Sequence, residues 1–367
     1  MEVPFVGLTQ EYESLSQEID EAIKEVLNSG YFVEGDHVNQ FESEFSTKVG
    51  AKYGIGLNSG SDALTLALRA LNIGEGDEVI TVSHTFVSTV NAIVKNNATP
   101  VLVDIDPETL VMDPESVEEA ITEDTAAILP VHLYGHPVDM DPLVELAEEH
   151  DLAIVEDASQ AHGATYKNQP VGSIGDIGCF SLYPTKNLGA YGDGGIAVTN
   201  DPDIESNLRT LHDYGRSEKY EFERIENHSR LDELQAAILL KKLPYLNEWN
   251  ERRRERAIWY THELLDSEVE TQSVSSDVSH VFHLFIIRYS KRDALQDFLE
   301  SRGISTLVHY PIPVHKQPAY SAHKPRHNLP VTERIADEVL SLPIHPWLQD
   351  EEVQAVVSSI ADFESGR

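Results

Sequence analysis

Apolar residues recur at helical spacing from Tyr12 to Leu27 (Leu15, Ile19, Ala22, Ile23, Val26), which predicts an amphipathic helix ended by Asn28-Ser29-Gly30. A second helix is expected through Phe41, Phe45 and Val49, and a strand at Ile55-Gly56-Leu57. Asn58 to Asp62 reads as a polar turn before an apolar helix, Ala63 to Leu71. A rhythm follows: strands at Glu78–Val82, Val101–Val103, Ala127–Val131 and Leu152–Val155, alternating with helices at Phe86–Lys95, Pro114–Ile121 and Pro142–His150. Strands that are mostly apolar, separated by helices, imply a largely parallel sheet covered on both faces. Two further strands are expected at Cys179–Tyr183 and Gly195–Thr199.

From Asp232 to Tyr260 the pattern is helical, with a break or kink expected at Pro244. Beyond it lie a strand, Val281–Arg288, a helix, Asp293–Ser301, and a loop stiffened by Pro311 and Pro313. Two late helices, Thr332–Leu340 and Glu351–Phe363, precede four residues that read as a frayed tail. The expected organisation is a large α/β domain, residues 1–245 with the N-terminal helix, and a smaller C-terminal α/β domain, residues 246–367.

Composition changes this picture at one point. The 367 residues hold 63 acidic and 27 basic side chains, a net charge of −36. Such an excess repels nucleic-acid phosphates, and no helix-turn-helix is recognisable, so nucleic-acid binding is not expected. Self-repulsion on that scale needs screening, which predicts a halophilic protein working at high ionic strength. The single cysteine, Cys179, allows no intrachain disulfide and reads as a core residue. The first residues lack a basic region and a long apolar run, and no segment is long enough to span a bilayer, so a cytoplasmic protein is expected.

In open α/β sheets ligands bind beyond the C-terminal ends of the strands. Polar residues gather there: Ser59 to Asp62, His84 and Thr85, Asp104, His132 and Asp157. Neither G-x-G-x-x-G after the first strand nor G-x-x-x-x-G-K-[ST] occurs, so a dinucleotide fold and a P-loop are unsupported. The stretch from Gly178 to Gly195 places one lysine, Lys186, in a Gly-rich turn between two apolar strands. Desolvation there lowers an amine's pKa toward a usable nucleophile. The histidines His84, His132, His136 and His162 show no metal-ligand spacing and read as structural.

Several short motifs, in this order and spacing, resemble the DegT/StrS group of sugar aminotransferases, fold-type I pyridoxal-phosphate (PLP) enzymes. They include Asn28-Ser29-Gly30-Tyr31-Phe32, Ser59 to Leu64, Gly76 to Ile80, Thr85-Phe86 and Pro130 to Gly135. Glu156 to Gly163, Ser181 to Asn187, Ser229 to Ala237 and His309-Tyr310-Pro311 complete the set. The resemblance covers almost the whole chain and implies a fold-type I architecture. By it, Lys186 is the Schiff-base lysine, Asp157 the partner of the pyridine nitrogen, and Gln160 a neighbour of the ring hydroxyl. Phe86 is the aromatic stacked on the ring, while Gly60, Ser61 and Ser181 form the phosphate seat. A helix start suits that role, because its free N–H groups and dipole favour an anion.

The resemblance further implies substrate contacts at His309, Tyr310 and His315, and a homodimer with shared sites. His228 stands where many relatives carry an asparagine that reaches a partner's phosphate, and Glu226 stands in place of a glycine. The implied activity is transfer of an amino group, from glutamate by family analogy, to a keto-sugar nucleotide for glycan or polysaccharide synthesis. Asp62-Ala63-Leu64 is closer to relatives acting at C-3 than at C-4. Two rivals are a PLP-dependent sugar dehydratase, which carries histidine at the lysine position, and a non-enzymatic regulator.

Overall fold

The computed structural model describes residues 1–366. Seven strands make the main sheet: β1 (Tyr53–Leu57), β2 (Glu78–Val82), β3 (Thr99–Val103), β4 (Thr125–Ile128), β5 (Ala153–Asp157), β6 (Ile177–Ser181) and β7 (Gly195–Thr199). Their order is β1-β7-β6-β5-β4-β2-β3, and only β7 runs against the rest. All five residues of β2 and of β7 are buried, as expected where helices cover both faces. Because β6 and β7 are antiparallel neighbours, the chain between them needs no crossover helix and instead forms the loop that carries Lys186.

The helices are α1 (Leu8–Ser29), α2 (Asp36–Val49), α3 (Gly60–Ala70), α4 (Val87–Lys95), α5 (Pro114–Glu118), α6 (Met140–His150), α7 (Pro202–His212), α8 (Glu233–Lys242), α9 (Leu246–Glu263), α10 (Arg292–Ser301), α11 (Pro330–Glu338) and α12 (Asp350–Glu364). None is long and apolar enough to cross a membrane. A second antiparallel sheet, β8 (Glu270–Thr271), β9 (Phe285–Arg288) and β10 (Val339–Leu342), packs with α10 and α12 around a core of Leu295, Leu299, Val353, Val356 and Ile360. Val3 joins that core and bridges to Ile304, so the first residues of the chain pack with its last third.

Several elements depart from the pattern-based expectation. α3 starts at Gly60, not Ala63, because the Ser59 side chain caps it by accepting the Asp62 N–H at 3.1 Å. β6 ends at Ser181, so Leu182 and Tyr183 already belong to the loop. α7 lies in a stretch for which no element is expected, opened by Asp201 as N-cap and Pro202 in the first turn. The expected helix Thr332–Leu340 stops at Glu338, and Val339 and Leu340 begin β10 against β9. Pro244 separates α8 from α9 through a single 3-10 turn, Leu243–Tyr245. At the C-terminus α12 already includes Glu364 of the expected tail, and Arg367 lies outside the described residues.

Candidate active site

The C-terminal ends of β1, β5 and β6, with the turns that follow β2 and β4, open onto a cavity of about 530 Å³. Ser59, Gly60, Ser61, Phe86, Asp157, Gln160, Ser181, Lys186, His309 and Tyr310 all line it. Nine expected site residues separated by up to 250 positions are thereby brought to one place, with Ser59 beside them.

Lys186 is held by its surroundings. Its backbone N–H bonds the Tyr183 carbonyl at 2.9 Å, and Ala190 N–H returns to Leu182 O at 2.8 Å, closing the loop on itself. Gly189 has no room for a side chain, since a Cβ there would come within 2.4 Å of the Pro184 carbonyl oxygen. Behind the loop the fully buried Lys242 ammonium donates to Gly189 O and pairs with Glu11. The protein around Lys186 strips water from its amine and lowers its pKa to about 8, against the Asp157 charge, which raises it.

Asp157 closes β5 and is buried. Its Oδ2 accepts from Thr89 Oγ1 at 2.8 Å, and its Oδ1 accepts the Ser159 N–H at 3.2 Å. That second bond is a local turn; residues 158–163 form turns, so no helix begins at Ala158. Glu156, fully buried, faces the other way and accepts N–H groups from Gly172, Ile174 and Gly175 at 2.6–2.8 Å and from His132 Nε2 at 3.1 Å. His132 Nδ1 accepts the Val138 N–H, which leaves Nε2 as the nitrogen that donates to Glu156.

At the opposite wall, α3 presents its first turn. A Cβ on Gly60 would sit 2.7 Å from the Ser181 Cβ, so only glycine lets the helix start approach β6 this closely. The first N–H groups of a helix have no intrahelical acceptor, and those of Gly60 and Ser61 border the cavity with the Ser181 side chain. Ser61 Oγ is paired with Ser88 Oγ at 2.6 Å, and the capping role belongs to Ser59.

Gln160 Oε1 accepts the Tyr134 N–H at 2.7 Å, and its Nε2 donates to Tyr310 Oη at 3.2 Å. Burial raises the Tyr310 pKa and keeps that phenol protonated. Phe86 is half exposed to the cavity, its ring centroid 5.9 Å from that of Tyr310. His309 Nδ1 pairs with Ser341 Oγ at 2.8 Å; burial, then the Lys186 charge, lowers its pKa to about 4.

Two expected residues do not line the cavity. His315 turns away: Nδ1 pairs with Ser83 Oγ at 2.7 Å and Nε2 with Glu333 at 3.3 Å. His228 is exposed beside Tyr214, next to a hairpin (Arg216–Glu218 with Glu221–Phe222) whose residues are largely exposed. Glu226, just after that hairpin, is engaged by Arg69.

Sequence reasoning misses Ser88, Thr89, Tyr183, Thr185 and His283 as lining residues. Thr89 had a signal, because it lies one helical turn beyond Phe86 and so shares its face. His283 had none.

These groups fit pyridoxal phosphate. A poorly solvated amine faces a carboxylate held by two donors, and a glycine-thinned helix start offers N–H groups for a phosphate.

A sequence profile described as the DegT/DnrJ/EryC1/StrS aminotransferase family matches residues 13–361. The chain is 46% identical to the dTDP-3-amino-3,4,6-trideoxy-alpha-D-glucose transaminase of Streptomyces venezuelae, over 98% of this chain and 96% of that one. It is 45% identical to a protein of Geobacillus stearothermophilus named pleiotropic regulatory protein, over 99% of both. The crystal structure of S. venezuelae DesV superposes with a TM-score of 0.97 at 46% identity, covering 99% of this chain and 98% of that one. Solved structures of the same fold include PLP and PMP forms.

Proposed function

Because the chain belongs to the DegT/DnrJ/EryC1/StrS aminotransferase family, whose members are PLP-dependent, we propose that it moves an amino group from glutamate onto the keto group of a sugar nucleotide. The observation that carries the reading is the meeting of Lys186, Asp157 and the α3 start in one cavity. Relatives named as 3-amino-sugar transaminases favour C-3 as the aminated carbon.

Bound in this cavity, PLP supplies an electron sink for the carbon that exchanges its proton. Lys186 would hold the cofactor through Nζ and, when released, take up and return that proton; a pKa near 8 lets one amine do both close to neutral pH. Asp157, steadied by Thr89 and Ser159, would keep the pyridine nitrogen protonated through its negative charge. Gly60, Ser61 and Ser181 would seat the phosphate, Phe86 would cover one ring face, and Gln160 would bond the ring hydroxyl. His309 and Tyr310, which wall the cavity from the second sheet's side, would meet substrate.

His228 fits a role across a dimer interface. Its hairpin exposes Tyr214, Tyr220, Phe222 and Ile225, and Tyr31, Phe32 and Val33 are exposed beside Asp232. Exposed apolar groups concentrated like this mark an interaction surface, which supports a homodimer in which His228 completes the partner's site. A cytoplasmic location accords with nucleotide-sugar substrates.

Of the rivals, the dehydratase needs histidine where Lys186 stands, and the regulator leaves the cavity's lysine, carboxylate and helix start without a purpose. The test is a visible spectrum of protein incubated with PLP, followed by glutamate-dependent amination of keto-sugar nucleotides. A Lys186→Ala protein with undiminished transamination would refute the assignment.

A further inference from the structure

His283 stands just before β9, is only 8% exposed, and opens its exposed part to the cavity. Its protonation state follows from a chain of buried amides anchored on two backbone carbonyls. Asn250 Nδ2 lies 2.8 Å from His162 O, a group that can only accept, so that atom is the amide nitrogen and Asn250 Oδ1 is an acceptor. Asn187 Nδ2 donates to that Oδ1 at 2.8 Å and to Val281 O at 2.9 Å. Asn187 Oδ1 is therefore the acceptor that faces His283 Nδ1 at 3.2 Å, and the histidine proton sits on Nδ1. Nε2 is left as a lone pair with no hydrogen-bond partner among the described residues, on a ring that forms part of the cavity wall.

Burial keeps this imidazole neutral, and the charges of Lys186 and Arg253, with His309 and His162 also facing it, act in the same direction. A neutral acceptor in a cavity needs a donor on the ligand. A carboxylate offers only lone pairs and is repelled. An ammonium would have to sit near the charges of Lys186 and Arg253. A neutral hydroxyl meets neither objection.

We propose that His283 is a further substrate-binding residue of this site, with Nε2 accepting a hydrogen bond from a ring hydroxyl of the sugar. Asn187, the residue next to Lys186, is then a positioning residue, since its amide fixes which histidine nitrogen carries the proton. The inference rests on the sugar-nucleotide reading above.

Two measurements test it on the full-length holoprotein. The first is a ¹⁵N-histidine NMR spectrum, with His283 assigned by its loss in His283→Phe. A neutral Nδ1–H tautomer from pH 6 to 8 is expected; an Nε2–H tautomer or an imidazolium overturns the proposal. The second is calorimetric binding of dTDP-glucose and UDP-N-acetylglucosamine, each against the free nucleotide. His283→Phe should weaken the sugar nucleotide that binds by about fivefold to tenfold, the worth of one neutral hydrogen bond, and free nucleotide by less than twofold. His283→Gln, which can place an acceptor near Nε2, should recover part of the loss. Equal affinity of wild type and His283→Phe overturns the contact, whereas no binding of either sugar nucleotide to wild type overturns the underlying reading as well. If His283→Phe fails to fold, His283→Gln supplies the assignment and the wild-type Nε2 resonance decides: it must move on adding the sugar nucleotide and stay put with free nucleotide.

Discussion

Thr89 Oγ1 donates to Asp157 Oδ2 at 2.8 Å, and both groups are buried. The direction is fixed, because a carboxylate only accepts; Thr85 Oγ1, 2.9 Å from Thr89 Oγ1, must then donate to it in turn. A threonine on the first turn of α4 thus sets the azimuth of the carboxylate at the end of β5.

Thr89→Val keeps the shape and removes the donor. A hydrogen bond to a charged group is worth about 2 kcal/mol, so kcat should fall roughly tenfold to thirtyfold. The melting temperature should hardly move, because Asp157 gains access to water from the cavity side. Steady-state kinetics beside a thermal melt checks this; unchanged kcat would make the Thr89 bond idle.

Lys186 predicts a pH dependence with a definite sign. Its folded pKa of about 8 lies below the ordinary 10.5, because burial outweighs the opposing pull of Asp157. Cofactor-free protein should therefore take up PLP faster as pH rises from 6.5 to 9, with a midpoint near 8, when followed by stopped-flow absorbance. The linked stability change runs the same way. Between pH 8 and 10.5 the unfolded chain binds the extra proton, so this group's contribution to stability rises with pH across that window and is at its least below 8. A midpoint near 10 would mean that the amine is fully solvated.

Glu156 gathers three backbone N–H groups of the Gly172–Gly175 turn and the His132 ring, all without solvent. Glu156→Gln turns one acceptor into a donor aimed at donors. About 3 kcal/mol of stability should be lost in urea unfolding of the cofactor-free protein. Because the neighbouring Asp157 is displaced with it, PLP affinity should fall in parallel. A loss under 1 kcal/mol would show that the turn adapts.

Much of this arrangement is legible in the chain itself, and the exceptions have physical causes. β2 and β7 follow from apolar runs, the aspartate is legible because it ends a strand, and the lysine because it stands in the Gly-rich turn between two. α7 escapes notice because only Leu208 and Leu211 of its residues are buried, although Asp201-Pro202 signals a helix start. β10 follows α11 with no glycine or proline between them, so only pairing with β9 distinguishes strand from helix there. His283 draws its role from the Asn187 amide, 96 positions away, which no local pattern reports.

Ile225 is fully exposed and Phe222 largely so. Charging both, as Phe222→Asp with Ile225→Asp, should convert a dimer to monomer by sedimentation and cost activity together with dimer content. His228→Ala should keep the dimer and weaken PLP retention alone. A wild-type monomer at micromolar concentration would remove the shared-site reading.

The buried acids are engaged: Glu11 with Lys242, Glu42 with Arg209, Glu78 with Arg326, Asp213 with Arg216, and Glu233 with the N–H groups that open α2. The excess behind a net charge of −36 therefore lies on outer faces, such as Glu148-Glu149 and Asp350-Glu351. Outer charges repel over a Debye length of about 10 Å at 0.1 M salt but only about 3 Å at 1 M. Raising KCl from 0.1 to 2 M should then raise the melting temperature by at least about 10 °C, and dialysis to low salt should unfold the protein. Sodium sulfate also strengthens apolar burial, so it cannot separate the two effects, whereas KCl largely isolates screening. A melting temperature indifferent to KCl would mean that the acidic faces are spaced widely enough not to repel, and a high-salt habitat would lose its physical motive.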